Sequence, residues 1–272
     1  QAAQAAHIAS RHAEEAVFLE QATACFARDG NKGQEFEALA RWAGALTWVD
    51  IGQRHHTVLK RMLDTAQTPE QRLQVLTEMG YSEANRGNRQ RSIDVAQEAL
   101  DLATPLAQPD MAYKNAGTLA IGHVALGQHE AALAVLEAQR PWIEASGNAR
   151  HQRDFESDLA WPLLALNRLS EAREGLERGI ALAREIGELA SLNTLLSLQV
   201  GSYSRAGDMV AALSVSSQAV ALHEVLGSVS GVPLFDRAIH AWLRAHLGEY
   251  ESALTTYDEV IAAFEASGNT LL

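Results

Sequence analysis

Residues 120–136 read AIGHVALGQHEAALAVL: two apolar helical patterns joined at Leu126-Gly127-Gln128-His129, with the small–large pair Ala132-Leu133 just beyond the joint. Apolar residues recur at three- and four-residue spacings on both sides, as one face of a helix requires. The glycine between them supplies the left-handed backbone that ends a helix. The same arrangement stands at Gly52, Gly87, Asn167, Gly207 and Gly248, so successive hinges, by subtraction, lie 35, 40, 40, 40 and 41 residues apart. A period of this size marks an array of helical repeats. A second set of breakers at Gly147, Gly187, Gly227 and Gly268 alternates with the hinges, spaced 40, 40 and 41. Each repeat therefore holds two helices of about 17 residues, roughly 25 Å long. Neither helix can bury its apolar face alone, and stacking on neighbouring repeats supplies the missing surface.

Read outward from that stretch, the chain is expected to be all-α and to form one continuous array over 1–272. A partial unit (1–32) precedes units at about 33–68, 69–108, 109–148, 149–187, 188–228 and 229–268. Ala16, Leu19, Thr23 and Phe26 place a buried stripe on the first helix. Arg28-Asp29-Gly30-Asn31 ends it, and helices over about Glu35–Ile51 and Arg54–Ala66 follow. Thr68-Pro69-Glu70 restarts the pattern with a capping side chain and a proline at the first helical position, where its missing N–H costs nothing. In the fifth unit Leu189, Leu192, Leu196 and Tyr203 face Ala212, Val215, Ala219, Leu222 and Leu226. Pro141 and Pro162 interrupt helical patterns and are expected to bend them or to be tolerated near helix ends.

Composition bounds the partners. With 47% hydrophobic and 21% charged residues the chain is globular in type, and no apolar run reaches the roughly 18 residues of a membrane span. The formal charge, 22 minus 34 or −12, opposes binding to phosphate backbones or anionic lipid, so neither direct nucleic-acid contact nor membrane docking is expected. A single cysteine, Cys25, rules out an internal disulfide and a cysteine-based zinc site, which suits a cytoplasmic protein. The chain begins at Gln1 without a methionine and shows no signal pattern in its first thirty residues, as expected of a segment cut from something longer or of a chain whose leader is already removed.

Catalytic patterns are scarce. The ten histidines include no His-Glu-x-x-His, and the adjacent His55-His56 point to different helix faces. Gly201-Ser202-Tyr203-Ser204 lies inside a helical pattern rather than at a strand-to-helix turn, and Cys25 sits on an alanine-rich helix. No catalytic residue, metal site or cofactor is assigned, and the protein is not expected to be an enzyme.

Five residues beyond the hinges stand Thr57, Ser92, Ala132, Ala172, Ala212 and Ala253, all small. Seven before them stand Ala45, Gly80, Ala120, Ala160, Val200 and Ala241, and Ala99 and Ala219 recur twelve beyond two of them. This pattern, with Pro69 and Tyr203 at matching places, resembles the tetratricopeptide repeat over essentially the whole chain. The resemblance implies a right-handed superhelical solenoid of antiparallel helix pairs. The period of about 40 departs from the ordinary 34. It is similar to the long repeats in the sensor regions of large bacterial transcription activators, typified by the maltose-regulon activator, and to arrays that follow ATPase modules in other bacterial signalling proteins. Those relatives bind an inducer or a regulatory protein through the array. The chain has no helix-turn-helix or phosphate-binding loop, so only a sensor or scaffold part is implied.

In such arrays the first helix of each pair lines the concave surface. Six residues before the hinges stand Leu46, Tyr81, Ile121, Trp161, Gly201 and Trp242, and ten before them Trp42, Thr77, Gly117, Ser157, Ser197 and Ala238. None of these is the Lys, Arg or Asn with which some members of the family clamp a peptide's terminal carboxylate. The aromatics are either packing residues or a binding wall; the latter gives a candidate site of Trp42, Tyr81, Trp161 and Trp242 with Gln74, Asn85, Lys114, Asp154 and Arg205 as its polar groups. The expected partner is a protein or peptide segment, or a small-molecule inducer around which the array closes. Leu254, Tyr257, Ile261 and Phe264 leave the last helix with an apolar face that is expected to be covered by another chain, for instance a second copy in a homodimer through the terminal helices, or by further sequence in the natural protein.

Overall fold

A computed structural model of the chain describes residues 2–49, 52–226 and 232–266. Among them it has fourteen helices and no strand. They are α1 (Ala2–Arg28), α2 (Lys32–Val49), α3 (Gln53–Thr65), α4 (Pro69–Asn85), α5 (Arg89–Ala103), α6 (Pro109–Ala125) and α7 (His129–Glu137), then α8 (Arg140–Ser146), α9 (Ala149–Ala165), α10 (Leu169–Glu185), α11 (Leu189–Arg205), α12 (Met209–Leu226), α13 (Val232–His246) and α14 (Tyr250–Ala266). The array resolves into two compact units, Gln1–Gln139 and Arg140–Leu272.

Within each unit every helix packs on its neighbours in sequence, and first helices also touch across repeats, α4 on α6 and α9 on α11. Short hinges enforce this. Gly87, Gly127, Gly207 and Gly248 have φ of 79°, 74°, 78° and 88°, and Asn167, at 59°, takes the same left-handed turn. The residue after each donates its N–H to the carbonyl five residues back: Asn88 to Glu83, Gln128 to His123, Arg168 to Leu163, Asp208 to Tyr203 and Glu249 to Arg244, all within 2.9–3.0 Å. This closes the C-terminus of the first helix and starts the second. Gly227 and Gly268 lie outside the described residues, as does Ile51.

Small residues then let the paired helices meet. Ser92, fully buried, donates its Oγ hydrogen bond to the carbonyl of Gly80 at 2.8 Å, so the positions five beyond and seven before the hinge touch directly. Ala132, Ala172, Ala212 and Ala253 are likewise buried, as are Ala120, Ala160 and Ala241. The first repeat departs from this. Gly52 has φ −80° and caps α3 instead of turning left-handed. Its buried face includes His55, His56, Val58, Leu59 and Met62, leaving Thr57 exposed. The shorter spacing of 35 residues to the next hinge accompanies that shift of register.

Phe36, Leu39, Leu46, Leu59, Met62 and Leu73 anchor the core of the first unit, and Phe155, Leu159, Leu176, Leu195 and Leu196 lie in that of the second. The expected cap at Thr68 is present: its hydroxyl accepts from the N–H of Gln71 at 3.2 Å. The two prolines behave differently. Pro162 sits inside α9, which continues to Ala165. At Pro141 the helical run is broken, α7 ending at Glu137 and α8 beginning at Arg140, because proline has no N–H to donate back along a continuing helix. The boundary between the two compact units falls at this break. No helix among the described residues is long and apolar enough to cross a membrane.

Candidate functional site

The first helix of each pair carries the candidate residues, and burial sorts them. Tyr81 on α4 and Ile121 on α6, equivalent positions of two helices in contact, are 49% and 58% exposed. In the second unit Trp161 on α9 and Trp242 on α13 are 55% and 39% exposed, and Gly201 holds the same position on the intervening α11. Most large apolar side chains in helices of this length are buried, so exposure repeated at one register position is the informative departure. Trp42 differs. It is 6% exposed, packs in the core of the first unit and has Arg54 over its ring at 5.6 Å. It is a packing residue, since in the first repeat Leu46 and Trp42 both turn inward.

The expected polar groups are mostly engaged by their neighbours. Lys114 pairs with Glu78 one repeat earlier at 2.9 Å. Asn85 donates to the carbonyl of Tyr81 on its own helix at 3.1 Å, and Arg205 donates across to the carbonyl of Leu164 at 2.6 Å, tying α11 to the end of α9. Asp154 accepts from Arg153 at 2.6 Å and 3.0 Å. Gln74 is exposed on α4.

Several residues that sequence reasoning missed complete the second unit's face. Arg153, with a side chain 7% exposed, also pairs with Glu188, which Arg150 contacts at 2.8 Å. Burial works against the Arg153 charge, but its bonds to Asp154 and Glu188 outweigh that and raise its pKa. The bond from Arg153 in turn holds Glu188 below the usual carboxylate range. A small cavity of about 160 Å³ opens beside this group, lined also by Ser157, Ser191 and Thr194. Farther along, Asp236 of α13 is buried and accepts from Asn193 and Ser197 of α11 at 3.0 Å each and meets His223 Nε2 of α12 at 2.7 Å. Polar groups thus occupy the N-terminal halves of α9, α11 and α13, and exposed tryptophans the C-terminal halves of α9 and α13. One sequence signal does precede these contacts. Arg153 and Glu188, Lys114 and Glu78, Asn193 and Asp236 are polar or charged partners 35, 36 and 43 residues apart, close to one repeat period. Among the described residues no group of three or more His, Cys, Asp or Glu side chains could hold a metal ion.

No protein-family model matches the chain, and no curated protein matches it in sequence. Solved structures do. BtubC (BKLC) from P. vanneervenii is 14% identical, with a TM-score of 0.66 over 82% of this chain and 93% of that one. A Rap protein complexed with Competence and Sporulation Factor is 13% identical, with a TM-score of 0.67 over 94% and 77%. A signal transduction ATPase with numerous domains from Pyrococcus horikoshii, which has a tetratricopeptide repeat sensor, is 15% identical with a TM-score of 0.67 over 92% of this chain but only 40% of that chain. At these identities the likeness is one of fold: an all-α array of tetratricopeptide-like helix pairs.

Proposed function

We propose that this tetratricopeptide-like array is a non-catalytic binding module of a bacterial regulatory protein, acting in the cytoplasm on a protein or peptide segment rather than on nucleic acid or membrane. The observation that carries the reading is the repeated exposure of Tyr81, Ile121, Trp161 and Trp242 at one register position on the first helices. Large aromatic side chains held on rigid helices are the usual anchors of protein interfaces, each contributing about 2 kcal/mol or more when a partner covers it. Lys114, Asp154 and Arg205, each bonded to a neighbour, stand on the same set of first helices. Two proteins of like fold support the reading, one complexed with Competence and Sporulation Factor and one a signal transduction ATPase with a tetratricopeptide repeat sensor.

The face of the second unit is the principal site in this reading, with Trp161 and Trp242 as anchors and the polar groups around Arg153 and Asp236 fixing the helices that carry them. Trp161→Ala and Trp242→Ala are expected to weaken partner binding at least about tenfold while leaving helix content unchanged. If both substitutions instead collapse the thermal transition, the tryptophans are packing residues and the binding face is elsewhere. We also propose that the bare apolar face of α14 supports a homodimer through the terminal helices.

A further inference from the structure

A second candidate site lies on the opposite side of α11. Leu192 and Leu196 share one face of that helix, a turn apart, while Thr194, Ser197 and Gly201 lie on the other. Over the two leucines, the second helices α10 and α12 flank a cavity of about 340 Å³, within the size range of small-molecule sites. Its floor and one side are aliphatic: Leu192 and Leu196 are both buried, and Ala221 and Leu222 of α12 stand beside them. The polar part of its wall is Arg184 of α10 and Gln218 of α12.

That polar edge is made of donors. Arg184, exposed in the last turn of α10, donates from Nη2 to Gln218 Oε1 at 3.0 Å. The acceptor is a neutral amide, and no carboxylate among the described residues lines the cavity or pairs with Arg184. Most of the guanidinium N–H groups and the Gln218 amide nitrogen are left with no protein acceptor. The preceding repeat shows the same groove with its charge met. Eleven residues before its hinge Asn167 stands Glu156 and eleven after it Arg178, and the two are bonded at 2.7 Å and 3.0 Å. Glu156 is buried, so the floor there holds a carboxylate against a guanidinium. At the same positions around Gly207 stand Leu196 and Gln218: an aliphatic side chain replaces the carboxylate, while α10 brings Arg184 to the edge.

We propose that this cavity binds a small aliphatic carboxylate, its hydrocarbon on Leu192, Leu196 and Leu222 and its carboxylate between the Arg184 guanidinium and the amide nitrogen of Gln218. The bound anion supplies the charge that Glu156 supplies one repeat earlier, and planar guanidinium donors suit a carboxylate. A neutral hydrocarbon would cover those donors without an acceptor, and an amine would meet a like charge. A doubly charged phosphate would lose hydration against the leucine side chains. The same chemistry is offered by a free organic acid or by the C-terminus of a peptide ending in an aliphatic residue. The site is independent of the tryptophan face.

The test titrates the intact chain calorimetrically with cyclohexylacetate, its amide and cyclohexylethylamine, and with a tripeptide ending in leucine as free acid and as amide. At least one of the two acids is expected to saturate a single site, with its amide and the amine at least about tenfold weaker. Arg184→Gln is expected to weaken acid binding about tenfold or more. Gln218→Glu, nearly isosteric and at an exposed position, closes an ion pair on Arg184 and is expected to weaken it as much with helix content retained. A purely structural role for Arg184 predicts no such loss, because its bond to position 218 is then strengthened. Ala221→Trp, from an exposed wall position, fills the cavity and is expected to abolish binding. Saturation by cyclohexylacetate alone assigns the site to a free acid, and saturation by the peptide acid assigns it to a chain terminus. Equal affinity of acid and amide, undiminished binding in Arg184→Gln, Gln218→Glu or Ala221→Trp, or no saturation by either acid below about 10 mM overturns the proposal.

Discussion

His56 on α3 is almost wholly buried, with its Nε2 3.5 Å from Glu83 Oε1. Burial drives its pKa below the ordinary histidine value, Glu83 acts against that, and Arg86 and Lys60 reinforce it. His240 on α13 behaves alike: burial and the charge of Arg244 lower its pKa against the pull of Glu249. Both rings are therefore neutral in the folded protein at pH values where the unfolded chain already takes up protons. The stability they support is complete above the unfolded value of about 6.5 and is lost as pH falls through their lowered folded values. Thermal melts are expected to show a lower midpoint at about pH 5.5 than at about pH 7.5, with the difference reduced in His56→Gln/His240→Gln. An unchanged difference in the double variant would place the acid sensitivity in other groups.

The hinge helices owe their geometry to which glycines are free and which are crowded. Gly207 turns left-handed at φ 78°, so Gly207→Ala is expected to cost about 1–2 kcal/mol even with open space around it. Gly201, inside α11 with nothing within 4 Å of a built Cβ, should do the reverse, and Gly201→Ala is expected to stabilise by about 0.5–1 kcal/mol. Gly122 on α6 is the crowded case. A Cβ there would stand 2.6 Å from Ile93 Cγ1 on α5, so Gly122→Ala should cost about 1–3 kcal/mol through overpacking, a cost largely relieved when Ile93→Ala is added. Denaturant titrations of these variants and of Ile93→Ala alone check the signs, and additive effects at Gly122 and Ile93 would count against the close approach. Gly122 stands five residues before its hinge and Gly201 six before its own, so the register separates them, but the crowding cannot be read from it. The role of Gly122 comes from the helix it faces.

Across the chain, the same register position is covered inside the array and bare at its last described helix. Ile93, six residues past its hinge, is 8% exposed and Ile180, thirteen past its hinge, is 6% exposed; their counterparts on α14, Leu254 and Ile261, are 63% and 54% exposed. Inner second helices receive the first helix of the following pair, as α5 receives α6 and α10 receives α11. Leu254→Ala is thus expected to cost less than about 1 kcal/mol where Ile180→Ala costs about 2–4 kcal/mol. The proposed homodimer would use this face. Sedimentation should then show self-association that Leu254→Glu removes, and a strict monomer at high concentration would end that reading.

Most of the architecture was legible in the chain because a 40-residue recurrence of hinge and small residues is a local signal: left-handed turns at Gly87, Gly127, Asn167, Gly207 and Gly248 follow from the residue types and need no distant partner. The tryptophans were legible as candidates, but the difference between Trp42 and Trp161 was not. Both occupy first helices, and only the packing of neighbouring helices buries one and leaves the other 55% exposed. Pro141 read either as a bend or as a proline tolerated near a helix end, and the division of the array at that point depends on contacts that helix propensity does not encode. The bonds of Arg178 to Glu156, Arg153 to Glu188 and Asn193 to Asp236 join residues 22, 35 and 43 positions apart. A charge in sequence becomes a pair, or a wall of a cavity, only when chain stacking removes water from around it.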